Sequence, residues 1–174
     1  MLKKLTLRTL AFTFALALAS SLTQLSGCDV KKIEELEEGV ATEADVRAKF
    51  GEPAATYLED NGAKTYEYPR QPEGQRNYMI TIGPDGKMSA LKQVLKADTF
   101  AKVQAGLDKV QVRRLLGRPA KTQTFALKPD EEIWDWRYLD GQQAKVFSAT
   151  FDKDGFVSKT AAVNDPRENN VGGN

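Results

Sequence analysis

The chain has 174 residues with 25 Lys plus Arg against 24 Asp plus Glu, and three of the basic residues, Lys3, Lys4 and Arg8, lie at the N-terminus. That length fits one ordinary domain or two very small ones, and a near-neutral body lacks the concentrated basic field that gripping nucleic acid requires. Histidine is absent and cysteine occurs once, as Cys28, so His-assisted nucleophiles, imidazole metal sites, intrachain disulfides and thiolate zinc sites are all excluded.

Residues 1–8 form a positive segment, and Leu10 to Leu22 is an apolar run of 13 residues interrupted by Thr13, Ser20 and Ser21. A helix needs about 20 residues to cross a bilayer core, so this run reads as the apolar part of a signal peptide. It leads to Leu25-Ser26-Gly27-Cys28, which resembles the bacterial lipobox, where the peptide is cut before the cysteine and the thiol is lipidated. The expectation is a signal peptide over 1–27, a lipidated N-terminus and linker over 28–32, and a mature chain tethered to a membrane without spanning it. Asp29 resembles an inner-membrane retention signal, which leaves the inner membrane open beside the favoured outer one.

The remaining chain is self-similar. Val46 to Thr56 aligns with Val112 to Thr122 with six identities in eleven positions, Gly39 with Gly106, and Tyr66-Glu67-Tyr68 with Trp134-Asp135-Trp136. A period of about 67 residues gives expected units over 33–96 and 97–163, followed by a disordered tail over 164–174.

Within each unit, Thr42 with Asp45, and Asp108 with Gln111, have capping-box spacing at the start of a short helix. Val46 and Phe50, like Val112 and Leu116, share one helix face. Gly51 and Gly117 can adopt the left-handed conformation that ends a helix, and Pro53 and Pro119 forbid its continuation. A shorter helical turn is expected before each, at 33–38 and at 99–105, with Asp98 capping the second. The period then changes to two around Tyr78 to Ile82 and Val146 to Phe151, and Asn61-Gly62, Asp85-Gly86 and Asp154-Gly155 mark hairpins. These patterns predict an α+β fold of two tandem repeats, each with two short helices packed on an antiparallel meander of three or four strands.

The glycine, the helix ending in Gly-x-Pro, the aromatic-x-aromatic strand and the strand closing at Asp-Gly, behind a lipobox, together resemble the BamE family (the SmpA/OmlA domain). That family is related in fold to tandem-repeat β-lactamase inhibitor proteins. The resemblance implies an accessory lipoprotein of the envelope that binds proteins such as the β-barrel assembly machinery.

No nucleophile elbow, phosphate loop or dinucleotide fingerprint occurs. Glu34, Glu35, Glu37 and Glu38 flank Ile33 and Leu36 in the manner of a solvated face, and Asp152 to Gly155 reads as a hairpin turn rather than a calcium loop. The expectation is a non-catalytic binding module without metal, cofactor or small-molecule substrate. Its candidate partner-binding residues are Trp134, Trp136, Tyr138, Arg113 and Arg114. The alternative is a lipoprotein that inhibits or senses a periplasmic enzyme through an aromatic sheet face; if that face turns inward, its aromatics are core.

Overall fold

A computed structural model describes residues 28–168; the expected signal peptide lies outside the described residues. Of the described residues, 28–36 belong to a unit separate from 37 onward. Helix α1, Cys28–Glu34, belongs to the first unit, so the turn expected over 33–38 lies mostly upstream of that range.

The second unit carries two four-stranded antiparallel sheets, each a simple meander. Helix α2, Glu43–Phe50, leads into β1 (Ala55–Leu58), β2 (Lys64–Pro69), β3 (Asn77–Ile82) and β4 (Met88–Gln93). Helices α3 (Ala97–Phe100) and α4 (Lys109–Leu116) then precede β5 (Lys121–Phe125), β6 (Lys128–Asp140), β7 (Gln143–Phe151) and β8 (Val157–Asn164). The expected α+β arrangement, with two helices packed on each meander, is therefore incorrect: the described residues are mostly β, with eight strands and few short helices. The reason is local. α2 and α4 are confined to eight residues each between a side-chain cap and a glycine, and α3 is a single turn of four. Lys96 precedes α3 without a side-chain cap bond and Asp98 lies inside it, so the expected cap at Asp98 is not formed and no second helical layer develops.

Both reciprocal capping boxes are present, Thr42 with Asp45 and Asp108 with Gln111. Gly51 and Gly117 close their helices at φ +80° and +75°. Beyond each helix the same contacts recur. Tyr68 Oη donates to Gly51 O at 3.1 Å and Trp136 Nε1 to Gly117 O at 2.9 Å. Ala54 N donates to Glu67 O and Ala120 N to Asp135 O, both at 2.8 Å. Each aromatic strand thus satisfies the carbonyl that a helix end leaves open.

Phe50 packs against Tyr68 and Tyr78 at ring distances of 5.2 and 5.6 Å. The larger apolar cluster gathers Phe100, Val112, Leu116, Trp136, Tyr138, Phe147 and Phe151 together with Met79 and Leu95, so residues of β3 and the chain after β4 share a core with the second sheet. Strand β8 ends at Asn164, and Asp165 is buried, accepting from Arg137 Nε at 2.6 Å. Of the tail expected over 164–174, Asn164 is thus the last residue of β8 and Asp165 is tied to β6, and residues 169–174 lie outside the described residues.

Candidate binding cleft

The junction between the two sheets is built around a buried carboxylate. Glu67, in the middle of β2, has no solvent exposure. It accepts from Tyr57 Oη at 2.7 Å, from Arg113 Nε and Nη2 at 3.2 and 3.3 Å, and from Arg118 N at 2.9 Å. Four donors saturate a group whose burial without partners costs several kcal/mol. Asn77, equally buried at the start of β3, donates through Nδ2 to Leu116 O at 2.7 Å and to Arg118 O at 3.1 Å. Its Oδ1 accepts from Arg70 N at 3.1 Å. The C-terminal end of α4 is thereby fixed on the first sheet. Gln71 extends the junction: its side-chain amide donates to Arg137 O at 2.7 Å and accepts from Arg137 N at 3.3 Å.

A cleft of about 420 Å³ opens beside this junction, lined by Ala55 and Tyr57 of β1, by Lys109, Val110 and Arg113 of α4, and by Trp134 of β6. Lys109 and Arg113 are four residues apart and so share one helix face. Lys109 Nζ is held by Glu132 Oε2 at 2.5 Å, and Trp134 Nε1 donates to Glu132 Oε1 at 2.6 Å. These two bonds, from Lys109 first and Trp134 second, hold the Glu132 carboxyl below the ordinary range. Burial and the bond to Glu67 push the Tyr57 phenol up to about 12, and the same carboxylate raises the Arg113 guanidinium further above its already high value. Each cation is thus fixed through part of its donor set, and a guanidinium has five N–H groups and an ammonium three. The cleft pairs positive charge with two aromatic walls and the exposed Val110, which is 65% accessible. This suits an anionic group attached to an extended or flat body.

The residues singled out from the sequence fall in different places. Cys28 is the first residue of α1, and its side chain lies outside the description. Trp136 has no exposure and Tyr138 only 7%. Both are core residues, so neither offers its ring as the partner-binding surface expected from the sequence. Their side of β6 turns toward Phe100, Phe147 and Leu116. Trp134 is partly buried, packs on Phe151 at 4.9 Å and reaches the cleft. Arg113 lines the cleft. Arg114 pairs with Glu59 at 2.9 Å and lies over the Tyr57 ring at 5.2 Å. Gly51, Pro53, Gly117 and Pro119 lie at and just after the ends of α2 and α4.

Sequence reasoning missed Glu67, Asn77, Tyr57, Lys109 and Val110 as members of this site. The available signal was Glu67 itself, a lone acid between two tyrosines on a strand. Among the described residues no group of His, Cys, Asp and Glu is placed to hold a metal, and no helix is long and apolar enough to cross a membrane.

No family model and no curated protein matches the chain. Among solved structures, a DUF4309 family protein (YjgB) from Bacillus subtilis subsp. subtilis str. 168 is similar, at 20% identity and a TM-score of 0.29, over 76% of this chain and 84% of its own. A likeness at that level establishes neither fold nor function.

Proposed function

We propose that the protein is a lipid-anchored binding module of the bacterial envelope, facing the periplasm, that holds a protein partner and makes or breaks no bond in it. The observation that carries this reading is the run Leu25-Ser26-Gly27-Cys28, placed at the end of an apolar segment and containing the only cysteine. Cleavage before Cys28 and acylation of its thiol leave the body on a lipid tether. Several acyl chains are needed for stable anchoring, at about 0.8 kcal/mol per buried methylene. Confinement at the surface raises the effective concentration of the module near membrane-bound partners.

The resemblance to the BamE family assigns such a module a supporting role beside the outer-membrane β-barrel assembly machinery, with Asp29 leaving the inner membrane as the other location. The cleft between β1 and α4 offers a contact surface consistent with binding. Its cations are fixed by Glu67 and Glu132, an arrangement suited to recognising a shape and a charge.

The test is crosslinking in intact cells from a photoreactive residue at the exposed Val110. The expected result is adducts with envelope proteins that disappear when Cys28→Ser releases the chain from the membrane. Adducts unaffected by Cys28→Ser, or turnover of a substrate by the purified chain, would overturn the reading.

A further inference from the structure

We infer that the cleft along β1 and α4 binds an extended, acidic peptide segment, which adds to the sheet as a strand beside β1. The inference names the kind of partner for the binding role proposed above and rests on that reading. Among the described residues β1 is the outer strand of its sheet and pairs only with β2. In an antiparallel ladder the paired backbone groups fall on alternate residues. Glu59 N donates to Ala63 O at 2.9 Å in the register that joins Tyr57 to Thr65 and Ala55 to Glu67. Ala55 and Tyr57 therefore turn their backbone groups toward β2, and Thr56 and Leu58 turn theirs outward. An outward-facing strand edge is a template for another extended chain.

Ala55 and Tyr57, whose backbones turn inward, project their side chains into the cleft, where α4 supplies Lys109 and Arg113. An incoming strand thus meets backbone donors and acceptors on one side and two cations on the other. Carboxylates at alternate positions of the incoming strand match that pattern, because every second side chain of a strand faces the same way. Val110 and Trp134 leave apolar wall for the residues between them. A volume of about 420 Å³ accommodates a few residues, the length of β1 itself. The lining selects an acidic segment: Lys109 and Arg113 face the cleft with N–H groups left over after pairing, while their partners Glu132 and Glu67 are not part of its wall.

The test is fluorescence anisotropy with the purified full chain in detergent and a fluorescein-labelled nonapeptide of alternating Asp and Val, with the Lys and Val counterpart as control. Saturable binding of the acidic peptide, weakening as salt rises, is expected, with none for the basic one. Thr56→Pro removes an outward N–H, which edge strands tolerate, and should weaken binding about tenfold, the loss expected from one or two hydrogen bonds. Lys109→Gln should weaken it several-fold. Val110→Trp, a surface change that fills the cleft, should abolish it even if Thr56→Pro perturbs the strand.

Equal binding of both peptides, binding unchanged by Val110→Trp, or no binding of the acidic peptide would overturn the inference. Uptake of labelled palmitate, lost in Cys28→Ser, separates this outcome from failure of the anchor. A palmitoylated chain without peptide binding rejects the peptide alone, and a peptide-binding chain without palmitate rejects the anchor alone.

Discussion

Glu67 is the side chain on which the junction turns. Glu67→Ala strands the Tyr57 hydroxyl, the Arg118 amide and part of Arg113 at once, while Arg113 recovers some hydration because it is 39% exposed. A loss of about 2–4 kcal/mol is expected, read as a lower urea midpoint. Two glycines with the same φ sign separate strain from crowding. At Gly51 a Cβ meets nothing within 4 Å, whereas at Gly117 it meets Asn77 Nδ2 at 3.0 Å. Both Gly→Ala changes put a Cβ on a positive-φ, extended-ψ backbone that is essentially glycine-only, at about 1–3 kcal/mol, and Gly117→Ala should cost measurably more, because the Asn77 amide it displaces caps two carbonyls. Tyr78 gives the opposite sign. Its hydroxyl is buried without a hydrogen-bond partner in the structure, so Tyr78→Phe should leave the melting temperature unchanged or raise it.

At the level of elements, the helix ends were legible because their signals are contained in a few neighbouring residues. Thr42 to Asp45 and Asp108 to Gln111 close capping boxes, and Gly51 and Gly117 stop α2 and α4. What failed was the weight given to helices. Asp98 is a good cap residue, yet α3 begins after Lys96 and lasts one turn, because the packing of Phe100 on Phe147 and Tyr138 of the second sheet, rather than a cap, positions it. The cleft was not legible: Tyr57 and Arg113 converge on Glu67, which lies 46 residues of sequence from Arg113, and no periodicity reports such a pairing.

The long strand β6 and the end of β8 also set an acid limit. Glu132 is held low by Lys109 and then by Trp134. Burial acts to raise Asp165, but the Arg167 amide and then Arg137 outweigh it and hold it low. A depressed carboxyl contributes stability that is full above its unfolded value, 4.5 for Glu132 and 3.8 for Asp165, and is lost as pH falls through the folded value. The urea midpoint should therefore be flat near neutral pH and fall below about pH 4. Glu132→Gln should flatten part of that fall, and an unchanged slope would remove Glu132 from the account.

For the whole molecule, the β-rich body and the N-terminal segment divide the work. The sheets hold a cleft in place through the buried, hydrogen-bonded Glu67 and Asn77, and the segment ending at Cys28 supplies the proposed membrane address. The most direct measurement is the intact mass of the chain extracted from bacterial membranes. The account predicts a polypeptide beginning at Cys28 and heavier than its sequence by a diacylglyceryl group and an amide-linked acyl chain. A mass equal to that of an unmodified polypeptide with a free Cys28 thiol would contradict it.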